Sequence, residues 1–193
     1  MWTHLCGLDF GIVDQNAVCV LGWRRNDPCV YVVSCYRISA IPSELAAEVR
    51  ELEKKYRFVR VIGDVGGMGK AFAEEMRRRP PQIPVEPADK HNKVGYIALF
   101  NDALRTGRIK VVRSSCADLL QEWAELPWAE GRQKEAEGFA NHASDACLYA
   151  WRAANAFLEK ELGAEPPEGS AEYWAKKEAE MERMAVRAFR SRR

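Results

Sequence analysis

The sequence predicts an α/β fold: a mixed central sheet, three antiparallel strands then parallel strands, with helices on both faces. Two patterns lead there. The first third holds three apolar, β-forming runs joined by short polar linkers. From Pro42 onward, stretches with helical apolar spacing alternate with short apolar runs, giving the order β-β-β-α-β-α-β-α-β-α-α. Size and composition agree. The chain has 193 residues, 47% hydrophobic and 30% charged, which fits one globular domain with a core and a short appendage. That composition excludes a disordered chain. No run of about 18 apolar residues exists, so a membrane-spanning protein is excluded as well.

Each element has its own signal. Leu5 to Val13 is an apolar run containing Asp9, Ala17 to Trp23 is apolar throughout, and Cys29 to Tyr36 is rich in β-branched and aromatic residues. Asp14-Gln15-Asn16 and Arg24 to Pro28 link them, lengths that suit a meander. Pro42-Ser43-Glu44 opens a helix to about Tyr56 with Leu45, Val49 and Leu52 on one face. Phe58 to Gly63 is a strand that ends at Asp64. Lys70 to Arg79 is helical and stops at Pro80-Pro81; Ile83 to Val85 is a short strand. Asn92 to Thr106 is helical with Ile97, Phe100 and Leu104 in register, and Gly107 ends it before a strand at Ile109 to Val112. Ala117 to Leu126 is helical, and Asn141 is placed to cap a long helix to about Glu161. These elements define a domain over 1–162. Residues 163–169 read as a linker by their Gly, Pro and Glu content, and 170–193 as a charged helical tail ending in Arg190, Arg192 and Arg193.

The six cysteines form no Cys-x-x-Cys pair and lie mostly in apolar stretches, as small buried hydrophobes do in a reducing compartment. The N-terminus lacks the basic-then-apolar pattern of a signal peptide, which points to the cytoplasm. A net charge of +1 leaves a nucleic-acid partner open, because local clustering decides such binding.

The informative residues are three aspartates. Asp9 is embedded in the first apolar strand, Asp64 closes a later one, and Asp145 lies early in the last long helix. A carboxylate in an apolar strand is costly unless its charge is compensated, and a divalent cation is one compensation. Taken singly, each acid reads equally well as a cap, a turn former or half of an ion pair.

The motifs around these acids resemble a known family. Gly7-Leu8-Asp9-Phe10-Gly11 is similar to the opening strand of RNase H-like nucleases of the retroviral integrase superfamily. Gly63-Asp64-Val65-Gly66-Gly67 is similar to the second acidic strand end of the C-terminal nuclease domain of phage terminase large subunits, and His142-Ala143-Ser144-Asp145-Ala146, with a downstream Tyr149, to their third motif. The stretch from Lys93 through Leu104-Arg105-Thr106-Gly107-Arg108-Ile109-Lys110-Val111 is similar to the segment between. The resemblance covers roughly residues 5 to 157.

It implies an RNase H-like fold in which Asp9, Asp64 and Asp145 are catalytic and hold one or two Mg²⁺ or Mn²⁺ ions. It implies an endonuclease that cuts concatemeric viral double-stranded DNA during genome packaging, leaving 3′-hydroxyl and 5′-phosphate ends, in the host cell cytoplasm of a phage or prophage. It implies a packaging ATPase domain, the terminase small subunit and the portal protein as partners. Many relatives carry a further acid beside the third motif, where this chain has Ser144 and Ala146; Asp14, past the first strand, is a candidate replacement.

Other residues are candidates for DNA contact. Lys70 opens a helix after a glycine-rich turn, which is not a phosphate loop because Ala71 stands where Ser or Thr is needed. Lys93 lies at a helix start, His142 three residues before Asp145, and Arg105 and Arg108 in a basic cluster. Two rival readings remain open on the sequence. A RuvC-like junction resolvase shares the fold and differs in preferring branched DNA; a non-catalytic packaging interaction module would dock through the basic tail.

Overall fold

The structure is a computed structural model and describes residues 1–11, 15–25, 27–67, 69–78, 80–132, 134–163, 174 and 177. The expected linker and tail and Asp14 therefore lie outside the described residues, apart from Gly163 and two tail positions. The chain divides into two units, Met1–Phe157 and Leu158–Arg193, and all six strands belong to the first.

The strands are β1 (Trp2–Asp9), β2 (Asn16–Arg24), β3 (Val30–Ile38), β4 (Phe58–Gly63), β5 (Val85–Pro87) and β6 (Ile109–Val111). The helices are α1 (Pro42–Tyr56), α2 (Gly69–Arg78), α3 (Lys93–Arg105), α4 (Ala117–Glu125) and α5 (His142–Gly163). The sheet order is β5-β4-β1-β2-β3-β6. β1, β2 and β3 form the antiparallel meander, while β4 and β5 on one side and β6 on the other run parallel to their neighbours. This is the expected mixed sheet of an RNase H-like fold.

Alternation along β1 divides the two faces. Cys6 and Leu8 point into a core built with Val18, Val61, Ile83, Leu45 and Val49 of α1 and Phe72 and Met76 of α2. A fully buried leucine such as Leu8 or Leu45 contributes about 1.5–3 kcal/mol through burial. Gly7 and Asp9 point to the opposite face, which α5 covers. A Cβ on Gly7 would lie 2.1 Å from the Ala146 carbonyl oxygen and 2.8 Å from the Ala150 Cβ, so only glycine lets α5 pack this close to β1. On the same side Cys35 donates its thiol to the Ala143 carbonyl at 3.5 Å. All six cysteines are free and five are buried, as their apolar surroundings predict. Burial pushes the thiols of Cys6 and Cys19 up.

Two strand boundaries and one helix cap stand apart from expectation. β1 begins earlier and ends at Asp9, because Trp2 pairs with Arg24 and packs edge-on against Tyr31, 5.3 Å between ring centroids. β5 begins at Val85, its partner being Val61, because Ile83 is committed elsewhere: its N–H donates to the Met76 carbonyl and its side chain fills the α1/α2 core. At the start of α5 Asn141 accepts the Asp145 N–H through its backbone carbonyl at 2.8 Å while its amide donates to the Asp145 carboxylate, so the side-chain cap comes from another helix. Glu122 of α4, 2% exposed, accepts from the N–H groups of Ala143 (3.1 Å) and Ser144 (2.7 Å) and from the Ser144 hydroxyl (2.8 Å). The helix dipole favours a carboxylate at that end, and the bonds satisfy N–H groups that the helix itself cannot.

Candidate metal centre

The topology delivers the three aspartates to one end of the sheet. Asp9 is the last residue of β1, and Asp64 follows β4 directly. These strands are parallel neighbours, and the Asp64 N–H donates to the Leu8 carbonyl at 3.4 Å. Asp145 stands one residue before Ala146, the point where α5 crosses Gly7. Asp9 and Asp145 are buried, at 8% and 9% exposure. The phenol of Tyr149, one helical turn beyond Asp145, senses the whole group. Burial pushes its pKa up, and the carboxylates of Asp145, Asp9, Asp64 and Glu135 push it further.

Each carboxylate already has a cationic or imidazole partner. His142 Nδ1 lies 2.6 Å from Asp9 Oδ2. Lys90 forms an ion pair with Asp64, whose other oxygen accepts from the Gly66 N–H at 3.1 Å. Lys93 lies 2.5 Å from both Asp145 and Glu135. Burial opposes the charge on Lys93, yet the two carboxylates outweigh it and hold the ammonium above its usual pKa. Asp145 is different. Burial pushes it up to about 6 against the pull of Lys93, and the negative charges of Asp9 and Glu135 add to the rise. Its Oδ1 is buried, and it meets Lys93 as a charge partner rather than as the acceptor of a well-aligned hydrogen bond.

Glu135 gave no signal in the sequence. It sits on a short hairpin where Trp128 bridges to Glu135 and the Ala129 N–H donates to the Lys134 carbonyl at 3.0 Å, and this turn brings a fourth acid to Lys93. Lys90 was equally silent. Its loop is pinned by Arg152 of α5, which donates to the Asp89 carboxylate (2.6 Å) and the His91 carbonyl (2.9 Å) and stacks 3.6 Å from the Tyr96 ring centroid.

The residues expected to touch DNA divide into two groups. His142 and Lys93 stand at the acids. Lys70 is exposed at the start of α2, next to Gly69, where a Cβ would come within 1.9 Å of the Asp64 carbonyl oxygen. Arg105 and Arg108 lie at the other end of the sheet. Ile109 pairs with Val30, the first residue of β3, and Arg108 is engaged by Asp102 at 2.6 Å. The structure does not bring them to the aspartates.

Among the described residues, no three His, Cys, Asp or Glu side chains form a finished metal site. The donor chemistry nonetheless fits a hard divalent cation. The acids supply oxygen ligands, the buried Asp145 Oδ1 has no hydrogen-bond partner among the described residues, and Asp64, Asp145 and Glu135 share two lysines.

The model of the terminase RNase H-like domain family matches residues 6–154. No curated protein matches the chain. Among solved structures, the large terminase nuclease domain of bacteriophage SPP1 with bound Mn is similar at a TM-score of 0.57 and 17% identity, covering 79% of this chain and 86% of that one. The large terminase nuclease of thermophilic phage G20c is similar at 0.60 and 20% identity, over 78% and 82%; that nuclease is also known with zinc and with cobalt bound. The large terminase of a second thermophilic bacteriophage is similar at 0.64 and 19% identity, over 84% of this chain but only 40% of that longer protein. At these identities the structural likeness speaks for the fold, and the family model, spanning most of the chain and all three acidic motifs, shows that the chain belongs to the terminase RNase H-like domain family.

Proposed function

We propose that this chain is a divalent-metal-dependent endonuclease that cuts double-stranded viral DNA during genome packaging, with Asp9, Asp64 and Asp145 as its metal ligands. The observation that carries the reading is the gathering of acids from three distant parts of the chain at one end of the sheet: Asp9 and Asp64 on neighbouring parallel strands, and Asp145 where α5 crosses Gly7. The Mn, Zn and Co in the similar phage nucleases support a divalent ion, with Mg²⁺ or Mn²⁺ as the working metal.

A bound ion supplies Lewis acidity toward the phosphodiester and lowers the pKa of an attacking water. The protein's own residues prepare for it. His142 donates to Asp9 and fixes the orientation of that carboxylate. Lys90 and Lys93 neutralise Asp64 and Asp145. Freed from these acids, the same lysines stand where they can meet phosphate oxygens. Gly67 has a positive φ of 52° and open space where a Cβ would be, so the turn after Asp64 leaves room for a DNA strand. Asp14 and Lys70 are further candidates for the site, as ligand and phosphate contact. Among the described residues nothing at the acids offers a base-reading helix or ribbon, so cutting is weakly sequence-selective. A packaging ATPase domain, a small subunit and the portal would set where cuts fall, in the host cytoplasm.

The test is nicking of supercoiled plasmid by wild type, Asp9→Asn and Asp145→Asn with Mg²⁺, Mn²⁺ or EDTA. Wild type nicks with metal only, and each variant loses at least about a hundredfold in rate. A wild type that never nicks, or variants that match it, overturns the proposal.

A further inference from the structure

A cleft of about 520 Å³ opens beside the acids, lined by Gln15, Arg37, Gly138, Phe139, Asn141 and His142. Its position follows from register. Asp9 pairs with Ala17 of β2, and Ala17 pairs with Arg37 of β3. Paired residues on adjacent strands share a face, and strands lie 4.7–4.9 Å apart, so Arg37 stands roughly 10 Å across the sheet from Asp9. His142 belongs to both places, lining the cleft while touching Asp9.

Arg37 is held in position but its donors are little used. Its backbone N–H donates to Asp118 at 2.8 Å. Its guanidinium lies 3.7 Å from Asp118 and 3.9 Å from Glu122, beyond good hydrogen-bond reach, and 3.5 Å from Gln121. The buried Nε has no hydrogen-bond partner among the described residues. The Glu122 carboxylate is meanwhile occupied by the start of α5. Nε is enclosed, so what Arg37 offers the cleft it lines is the terminal N–H groups of its guanidinium, whose nearest carboxylate, Asp118, stands 3.7 Å away, and that is chemistry that suits a phosphate. Phe139 also lines the cleft and is 48% exposed, a large aromatic ring kept out of the core and following Gly138 at a φ of 84°.

We infer that this cleft is a DNA-strand subsite: Arg37 binds a backbone phosphate next to the scissile one, and Phe139 stacks on a base or sugar of the same strand. This rests on the nuclease reading above and extends it by giving the direction in which the strand leaves the acids. Neither residue touches the reacting atoms; both position the substrate.

The experiment measures binding of a fluorescein-labelled duplex oligonucleotide in EDTA across a salt series, and plasmid nicking in Mn²⁺, for wild type, Arg37→Met, Arg37→Lys and Phe139→Ala. Arg37→Met weakens binding about tenfold and makes the slope of log K against log salt shallower by about 0.9, the value for one lost phosphate contact. Arg37→Lys recovers the slope but only part of the affinity, because an ammonium cannot fork. Phe139→Ala also weakens binding about tenfold and leaves the slope unchanged. In nicking, the losses fall on KM, with kcat retained. Phe139 is exposed, so its variant folds whatever Arg37→Met does to the α4 contact. Wild type that binds and nicks, with variants that match it in affinity, slope and KM, overturns the subsite alone. Wild type that neither binds nor nicks overturns the nuclease reading and the subsite with it.

Discussion

Gly7→Ala tests how the fold sets the chemistry, because the added methyl lies in the contact that places Asp145 beside Asp9. The new Cβ would sit 2.1 Å from the Ala146 carbonyl oxygen, whereas ordinary contact begins at 3.4 Å. The obstacle is helix backbone, with the Ala150 Cβ at 2.8 Å behind it, so neither neighbour can rotate away. α5 must retreat by roughly 1 Å or more, carrying Asp145 and His142 from Asp9. Overpacking of this kind costs about 1–3 kcal/mol, which for a chain of this length lowers the melting temperature by roughly 2–12 °C. A displacement near 1 Å in a catalytic constellation costs about a hundredfold in rate. Thermal melting followed by circular dichroism and the plasmid assay report the two effects separately, at a temperature where the variant is folded. A Gly7→Ala protein that melts within about 1 °C of wild type and nicks within about threefold of its rate would refute the claim that this close approach positions the acids.

Three further predictions follow from the same geometry. Glu122→Ala strands the N–H groups of Ala143 and Ser144 at the buried start of α5; denaturant unfolding should show a loss of about 3 kcal/mol or more, and Glu122→Gln a smaller one. Asp145 has a folded-state pKa near 6, raised above its unfolded value near 3.8, so the folded state holds its proton longer. The metal-free protein should lose stability from this group as pH rises from about 4 to 6 and level off above, and Mn²⁺ affinity measured by calorimetry should rise through the same window and then flatten. Asp145→Asn removes both dependences; a metal affinity that is flat from about pH 4 to 7 in wild type contradicts the assignment. Arg152→Met releases Asp89 and His91, so hydrogen exchange should accelerate across residues 88–93 while the amides of β1 and β2 keep their protection.

Much of this was legible in the sequence because the signals were local. Strands such as Val30–Ile38 announce themselves through β-branched residues, helices such as α1 through apolar spacing and Pro42, and all eleven elements appear in the expected order. The three aspartates stood out because each ends or begins an element, which is where side chains from distant segments meet. What stayed hidden depends on tertiary placement. Glu135 lies in a polar hairpin whose composition says only loop, and it becomes a site residue because the turn folds over Lys93. Lys90 gains its role from a loop pinned by Arg152, more than sixty residues away in sequence. Arg105 and Arg108 attracted notice as a basic cluster, yet strand direction sends them to the far end of the sheet, and charge clustering carries no information about direction. The capping of α5 by Glu122 was likewise invisible, since a glutamate within a helix of mixed polarity reads as a solvated side chain.

The most direct test of the central claim is a crystal soaked in Mn²⁺ and examined by anomalous diffraction. A metal centre at the three acids gives anomalous peaks between Asp9, Asp64 and Asp145, with Lys90 and Lys93 withdrawn from their carboxylates. Manganese bound elsewhere, with all three aspartates still engaged by His142, Lys90 and Lys93, would contradict it.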